Sequence, residues 1–336
     1  MIISKTPCRL SFAGGGSDIA SYYREHGGAV VSITIDKYVY LTLQRKFDEH
    51  IRIGYSKTEE VERVGDIQHP IVRNCLEMLS IRSGIEITSH ADIPSKGSGL
   101  GSSSSFTVGL LNGLYAYLGR HASPQRLAEE ACEIEINRCG DPIGKQDQYA
   151  AAFGDLRMYR FNPDGSVAVE PLIVKHGLTA RLQENLMMFY TGMTRSAGDI
   201  LKDQTEALGA RKQAIDAMHQ IVGHAHAVRK ALEGGDVDAV GEILHESWVL
   251  KRGLTSGISN AAIDGWYEKA RAAGAVGGKI LGAGGGGFLL LYAPREKQPA
   301  IRAALRELRR IPFRFEHEGS KIIFYNPTTL YEDELD

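Results

Sequence analysis

The segment Gly97-Ser98-Gly99-Leu100-Gly101-Ser102-Ser103-Ser104-Ser105 constrains this chain more than any other. Glycines at alternate positions separate the alternating strand pattern IEITSHAD (85–92) from an apolar repeat at helical spacing: Phe106, Leu110, Leu111, Leu114 and Leu118. That order predicts a strand, a tight loop and a helix. Such a loop can present several backbone N–H groups to a phosphate, and the helix N-terminus adds its positive end. The serines can supply hydroxyl contacts or a magnesium ligand. The plainer alternative is a flexible Gly/Ser turn with a serine cap, but the flanking strand and helix favour an anion cradle. No Gly-x-x-x-x-Gly-Lys-Ser/Thr occurs, and the third glycine comes one residue early for Gly-x-Gly-x-x-Gly.

Glycine is concentrated elsewhere too. Of 336 residues, 38 are glycine, above the usual share of roughly 7%. Fifteen fall in four runs: Gly14 to Gly16, Gly27-Gly28, Gly97 to Gly101, and Gly277 through Gly287. Ordered glycine is costly, so these runs predict close approach of another group to the main chain. The formal charge of -2 provides no global electrostatic footprint for nucleic acid or anionic membrane. Apolar stretches stay far short of about 18 residues, so no membrane-spanning helix is expected. The start, MIISKTPCRLSF, does not read as a signal peptide. Cys8, Cys75, Cys132 and Cys139 lack zinc-site spacing and predict reduced, mostly buried thiols in a cytoplasmic protein.

The first hundred residues read mainly as strands, notably 29–36, 38–44 and 85–92. A short helix is expected over 67–80 and another from Ser123-Pro124 to before Gly140. Strands are expected at 156–161, 186–191, 287–292 and 321–325. Helices are expected at 199–232, 236–251 and, as a charged amphipathic element, 297–310. A domain boundary falls near 175–185, giving units 1–180 and 181–336.

Three further constellations carry chemistry. Glu135 lies near the end of a helix and Asp147 follows the turn Gly140-Asp141-Pro142-Ile143-Gly144. Two carboxylates across such a turn can face one site, one binding magnesium while the other accepts a proton. Taken singly, Glu135 also reads as a solvated helix charge and Asp147 as a turn or helix cap. Arg9 precedes Gly14-Gly15-Gly16-Ser17-Asp18 at the end of a strand; a strand-end salt bridge and a turn cap are the plainer readings of Arg9 and Asp18. Gly282 to Gly287, with Gly284 and Gly285 central, immediately precede the strand Phe288–Tyr292.

These segments, in this order, resemble the three signature motifs of the GHMP kinases, the superfamily of galactokinase, homoserine, mevalonate and phosphomevalonate kinases. The similarity runs from Pro7 to about Tyr292. It implies an α+β, two-domain GHMP kinase fold, with a ribosomal protein S5 domain 2-like N-terminal half and a ferredoxin-like C-terminal half. It implies ATP and Mg2+ as cofactors. Gly97, Ser98, Gly99, Leu100, Gly101, Ser102, Ser103 and Ser104 would cradle the ATP phosphates, and Ser103 and Glu135 would hold magnesium. Asp147 matches the catalytic aspartate of mevalonate kinase, although Lys145-Gln146 stand where that family has one residue. Arg9 falls where that family has a lysine near the reacting hydroxyl. Asp18, with Gly15, Gly16 and Ser17, matches the sugar-holding segment of galactokinase.

Phe-Ala-Gly-Gly-Gly-Ser-Asp (12–18), Gly-Lys-Gln-Asp-Gln-Tyr (144–149), Tyr-Thr-Gly-Met-Thr-Arg-Ser (190–196) and Gly-Ala-Gly-Gly-Gly-Gly-Phe (282–288) narrow the branch. Together they resemble the bacterial D-glycero-D-manno-heptose 7-phosphate kinases. The implied reaction is transfer from ATP to the anomeric C1 hydroxyl, giving a 1,7-bisphosphate for nucleotide-activated heptose biosynthesis. A fucokinase or another GHMP kinase acting on a free sugar is the alternative, followed by a non-catalytic sugar sensor. The partners are a small sugar phosphate and ATP, with no nucleic acid or membrane. A substrate phosphate calls for a cationic clamp, for which Arg195, Lys145, Lys37, Arg45 and Lys251 are candidates. Gly284 and Gly285 would back the substrate.

Overall fold

The structure, a computed structural model, describes residues 1–94, 97–193, 197–210 and 212–326. Among these residues the strands form two sheets, of nine and four strands. The first sheet takes β1 (Ile2–Ala13), β2 (Gly28–Arg45), β3 (Ile51–Gly54), β4 (Thr58–Val61), β5 (Ile85–Ala91), β6 (Arg157–Phe161) and β7 (Val167–Pro171). The second takes β8 (Leu186–Tyr190), β9 (Gly277–Ile280), β10 (Phe288–Tyr292) and β11 (Arg309–Arg310), in the order β11-β8-β10-β9. The chain then returns to the first sheet. β12 (Phe315–Glu316) pairs with β2, and β13 (Lys321–Tyr325) pairs with β1. The expected division near residue 180 is therefore crossed again at 315–325.

The helices are α1 (Ala20–His26), α2 (Pro70–Met78), α3 (Ser102–Tyr117), α4 (Pro124–Cys132), α5 (Gln146–Phe153), α6 (Leu178–Glu184), α7 (Ala197–Ala210), α8 (Lys212–Gly234), α9 (Asp238–Arg252), α10 (Ala261–Ala272) and α11 (Gln298–Ala304). Helices α2 to α5 cover one face of the first sheet, burying Leu41, Leu43, Leu110, Leu114, Leu127 and Ala151 in one cluster. A second cluster joins the two sheets through Leu10, Phe12, Ile33, Val228, Leu244, Phe288 and Leu290. A third packs Trp248, Ile263 and Tyr267 against Phe189 and Leu289 of the second sheet. Strand β1 is thus covered on both sides, and Cys8 to Ala13 are all buried.

Three local outcomes differ from the sequence reading. The strands expected at 29–36 and 38–44 are one strand, β2. Its partner β1 steps from Tyr38 opposite Pro7 to Ile35 opposite Cys8, and this irregularity absorbs Asp36 and Lys37. The charged helix expected over 297–310 shrinks to α11, because Arg309 and Arg310 pair with Tyr190 and Phe189 at the edge of β8. The helix begun by α4 continues past Cys132 as a π-helical turn over Glu133–Arg138, a wider winding that changes which face its side chains present. Residues 199–232 fall on α7 and α8, with 211 outside the described residues. No helix among the described residues is long and apolar enough to cross a membrane. Cys8, Cys75 and Cys132 are buried free thiols, and Cys139 is half-buried.

Helix α3 lies close on the first sheet because its inner face carries two glycines a turn apart. A β-carbon on Gly109 would stand 2.6 Å from Thr6 Oγ1, and one on Gly113 would stand 2.5 Å from Leu43 Cδ1. The returning C-terminal segment is sealed in a similar way at the end of α5. Gly154 has φ 68°, and a β-carbon there would come within 2.3 Å of the Glu318 carbonyl carbon and the Gly319 nitrogen. Both obstacles are backbone, so the clash cannot be relieved by a rotamer change. Gly154→Ala is expected to destabilise the protein by roughly 1–3 kcal/mol. Thermal melting measures the loss, and amide exchange should show it concentrated in β12 and β13.

Candidate active site

A buried ion pair lies where the first sheet, the glycine loop and α5 meet. Arg9 sits within β1, not at its end, and is only 3% exposed, which excludes the plain surface salt bridge. Its Nε donates to Asp147 Oδ1 at 2.8 Å, its Nη2 lies 2.6 Å from the same oxygen, and its Nη1 donates to the Gly99 carbonyl at 2.6 Å. The Arg9 backbone N–H donates to the Leu100 carbonyl at 3.0 Å. Asp147 occupies the first turn of α5, where a carboxylate suits the helix dipole. Its side chain keeps 24% exposure, enough to meet a ligand. Gly101 has φ 75°, a conformation that favours glycine, and a β-carbon there would make a tight 3.2 Å contact with Asp147 Oδ2.

The loop has the conformation an anion cradle needs. Gly97, Gly99 and Gly101 all have positive φ, and Gly101 caps α3 without any side-chain hydrogen bond. The first N–H groups of α3 therefore follow directly from the loop. Its opposite side is backed by the C-terminal glycine run. A β-carbon on Gly99 would meet the Leu281 carbonyl oxygen at 2.2 Å, and one on Gly282 would meet the Gly99 α-carbon at 2.5 Å. Gly287 faces the Ser98 carbonyl in the same manner. Gly284 and Gly285 instead pack on Ile258, whose carbonyl accepts the Gly285 N–H at 2.8 Å.

Glu135 is brought to the same helix start by the π-helical turn. It is 1% exposed, which rules out a solvated helix charge. Ser103 Oγ donates to its Oε1 at 3.1 Å, while Ser104 Oγ and Gln148 Nε2 donate to its Oε2 at 2.8 and 2.6 Å. Burial pushes its carboxyl up to about 7, against the opposing effect of these donors. A buried carboxylate beside an exposed serine hydroxyl is a hard-oxygen pair suited to Mg2+. A cation there would offset the desolvation that burial imposes. The exposed trio Asp48, His50 and Glu60 is less apt, because Lys46 already bonds both of its carboxylates.

The Gly14 to Asp18 segment forms a turn held from within. Asp18 is 2% exposed. It accepts from the Gly16 N–H at 2.9 Å and from the Gln146 backbone and side chain at 3.2 and 3.0 Å. The turn-cap reading is thus met, while the same bonds dock this loop on the start of α5. Burial, and then the Asp147 charge, raise the Asp18 carboxyl. Ser17 donates to the Gly14 carbonyl at 2.8 Å and accepts from the Ala29 N–H at 3.1 Å. Gly15 faces the Gln146 side chain, 3.5 Å from where its β-carbon would be.

The expected cations separate. Lys145 Nζ donates to the Gly165 carbonyl at 2.6 Å and lies 5.1 Å from the Tyr23 ring centroid. It lines a cavity of 340 Å³ bordered by Asp18, Arg24 and Tyr149. Lys37 pairs with Asp36, and Arg45 is exposed at the end of β2. Arg195 lies outside the described residues. Lys251 is buried and donates to the Gly282 carbonyl at 2.8 Å. Lys279, not anticipated from sequence, is buried on β9 and reaches the Phe12 carbonyl at 3.3 Å. Its signal was a lone lysine inside the apolar run Ala-Val-Gly-Gly-Lys-Ile-Leu. Gln146 and Gln148 were missed as partners of Asp18 and Glu135, since no periodicity marks them.

Known proteins resemble this chain in sequence and fold. Residues 69–155 match the GHMP kinases N terminal domain and residues 228–310 the GHMP kinases C terminal domain. D-glycero-alpha-D-manno-heptose 7-phosphate kinase of Campylobacter jejuni is 33% identical over 95% of this chain and 98% of its own length. The bifunctional fucokinase/GDP-fucose pyrophosphorylase of Arabidopsis thaliana is 27% identical over 90% of this chain, which spans 31% of that protein. A crystal structure of a D-glycero-D-manno-heptose 1-phosphate kinase from Bacteroides thetaiotaomicron superposes with TM-score 0.79 at 26% identity, covering 99% of this chain and 100% of that one. The chain has the two-domain GHMP kinase fold and belongs to the GHMP kinases, as a phosphotransferase acting on a sugar hydroxyl.

Proposed function

We propose that this kinase moves the terminal phosphoryl group of ATP, with Mg2+, to the anomeric C1 hydroxyl of D-glycero-D-manno-heptose 7-phosphate. The product is the 1,7-bisphosphate, a precursor of nucleotide-activated heptose. The observation carrying this reading is the buried Arg9–Asp147 pair set against the loop at Gly99 and Gly101. The sugar assignment draws on the C. jejuni heptose 7-phosphate kinase, similar along nearly its whole length. The Bacteroides relative is named a 1-phosphate kinase, so the opposite order of phosphorylation is the second reading. We further propose residues 1–180 and 181–336 as two units, with 315–325 rejoining the first.

In this reading the backbone of Gly97, Ser98, Gly99, Leu100 and Gly101 and the start of α3 at Ser102, Ser103 and Ser104 cradle the ATP phosphates. Ser103 Oγ and Glu135 hold Mg2+, which neutralises phosphate charge when bound. Asp18, buttressed by Ser17, and the backbone of Gly15 and Gly16 orient the sugar hydroxyls. Asp147 Oδ1 is engaged by Arg9, so Oδ2 takes the proton of the anomeric hydroxyl. As the new oxygen–phosphorus bond forms, the bond to the bridging oxygen breaks and ADP leaves with that electron pair. Arg9 positions Asp147 and holds charge at the reacting oxygen. Lys145 and Arg195 are proposed for the substrate's own phosphate. Gly282 and Gly287 back the site by touching the phosphate loop, and Gly284 and Gly285 support them through Ile258.

A coupled ADP assay over a panel of sugars and sugar phosphates tests the assignment. Heptose 7-phosphate should be the preferred acceptor, and phosphorus NMR should place the new phosphate on C1. Equal turnover of free fucose or galactose would sink the assignment, and a new phosphate at C7 would establish the opposite order.

Asp147→Asn should bind ATP as the parent does, in calorimetry, yet lose at least about two decades of kcat, the scale of a general base. Unchanged kcat would remove Asp147 from proton transfer.

Glu135 carries a pH signature. Its folded-state value of about 7 lies above the usual carboxylate range. Folding therefore favours its protonated form, and that stabilisation is lost as pH rises from about 4.5 through about 7. Without metal, the parent should lose melting temperature over this window relative to Glu135→Gln. Adding Mg2+ should restore it at the upper end, because metal and proton compete for the carboxylate. An Mg2+ effect on melting temperature as large in Glu135→Gln as in the parent would refute the metal-ligand role.

A further inference from the structure

Two buried ammonium groups are left over once the roles above are assigned. Lys251, at the end of α9, is 6% exposed, and Lys279, on β9, is 4% exposed. Lys251 is tied to the Gly282 carbonyl and Lys279 to the Phe12 carbonyl. Gly282 is the residue pressed against Gly99 of the phosphate loop, and Phe12 leads into the Gly14 to Asp18 turn. The two ammonium groups are thus anchored at the two glycine loops that flank Arg9 and Asp147. Neither has a carboxylate oxygen within 4.0 Å among the described residues, and the Asp147 Oδ1 contact engages Arg9 instead. Asp18 is bonded to Gly16 and Gln146.

A buried ammonium with only carbonyl partners is expensive unless an anion joins it. Burial pushes Lys251 down to about 8, and the Asp18 and Asp147 charges oppose that shift. Burial, then the charges of Lys251 and Arg9, drive Lys279 well below its usual range. Lys251 is bonded to Gly282, Gly282 is packed on Gly99, and the Gly99 carbonyl accepts from Arg9, so a short chain of contacts links Lys251 to the proposed reacting groups.

We propose that Lys251 and Lys279 form the anion-binding half of the transfer centre, receiving the phosphoryl group as it passes from the nucleotide to the acceptor beside Asp147. This rests on reading Arg9 and Asp147 as that centre. The lysines exchange no proton in the step. The phosphorus–oxygen bond to ADP breaks, the bond to the acceptor oxygen forms, and the acceptor proton goes to Asp147. An arriving phosphoryl anion favours the charged form of both lysines against the effect of burial, and their ammonium groups then compensate the three non-bridging oxygens from a position fixed before the ligand arrives. Lys279 also ties β9 to β1, so the cradle spans both sheets.

The test compares Lys251→Met and Lys279→Gln with the parent. Glutamine keeps a donor for the Phe12 carbonyl while removing the charge, so a purely structural strap would survive it. Both variants should lose roughly 10- to 1,000-fold in kcat, on a phosphorylated acceptor and on its unphosphorylated counterpart alike, with the ATP KM changed less than about threefold. Lys251→Arg should recover part of the loss. In a second arm that needs no acceptor, ADP with orthovanadate should raise the parent's melting temperature and do so far less for Lys251→Met. That arm stands whichever sugar the enzyme uses, and Lys251→Met carries the test if Lys279→Gln does not fold. Parent-like kcat, or an undiminished vanadate shift in Lys251→Met, would overturn the proposal. So would a loss confined to the KM of the phosphorylated acceptor, which would assign the lysines to the substrate's own phosphate.

Discussion

A guanidinium can be buried only where oxygen atoms meet its donors, and Arg9 organises the site by that requirement. Its side chain takes the Gly99 carbonyl and the Asp147 carboxylate, and its backbone takes the Leu100 carbonyl. Three segments far apart in sequence are thereby fixed on one residue: β1, the loop before α3, and the first turn of α5. Removing the charge would leave Asp147 without its partner and a loop carbonyl without its donor, the costly way to break a buried pair. The Arg9 side chain also sets which Asp147 oxygen stays available to a ligand. Packing and the proposed proton transfer therefore depend on the same contact.

Around this contact the protein buries charge of both signs that it does not neutralise by itself. Glu135 is held by three neutral donors, Lys251 and Lys279 by carbonyls, and Asp18 by amide groups. Neutral donors orient a charge without cancelling it, so each group keeps its attraction for a ligand of opposite sign. The cost is an unliganded state less stable than its packing alone would give. Ligands that bind the folded state repay part of that cost by mass action. A carboxylate beside Ser103 suits a cation, whereas ammonium groups at the glycine loops suit an anion. That pairing is what a metal–nucleotide complex presents.

Much of the site was legible because its chemistry lies in contiguous motifs. The strand–loop–helix around Gly97 to Ser105, the carboxylates Glu135 and Asp147, and the Gly14 to Asp18 turn all stand where the residues suggested. What stayed hidden depends on long-range packing. Glu135 points inward because a π-helical turn rewinds the end of α4, and no local pattern announces that extra residue. Charge alone singled out Lys145, but its contacts with Gly165 and Tyr23 depend on chain returns that no local pattern marks. The 297–310 pattern was helical in period, but the open edge of β8 claims Arg309 and Arg310. The close approach expected at Gly27-Gly28 is made by Gly28, where a β-carbon would lie 2.1 Å from the Ser17 carbonyl oxygen.

The glycine contacts also limit how the site can move. Gly99 meets Leu281 and Gly282 at distances that admit no β-carbon, and Gly287 meets Ser98 in the same way. Lys279 adds a bond from β9 to the Phe12 carbonyl of β1. Opening the two sheets along this seam would break backbone packing and strip a buried ammonium of its acceptor together. The seam therefore favours a site assembled before substrate arrives, and preorganised donors are those worth most to charge developing in a transition state. Access is left to the side where Ser103 is exposed and Asp147 is half-buried. Glycine is the residue that permits this arrangement, because a side chain at the seam would hold the Gly97 to Gly101 loop away from Leu281 and Gly282.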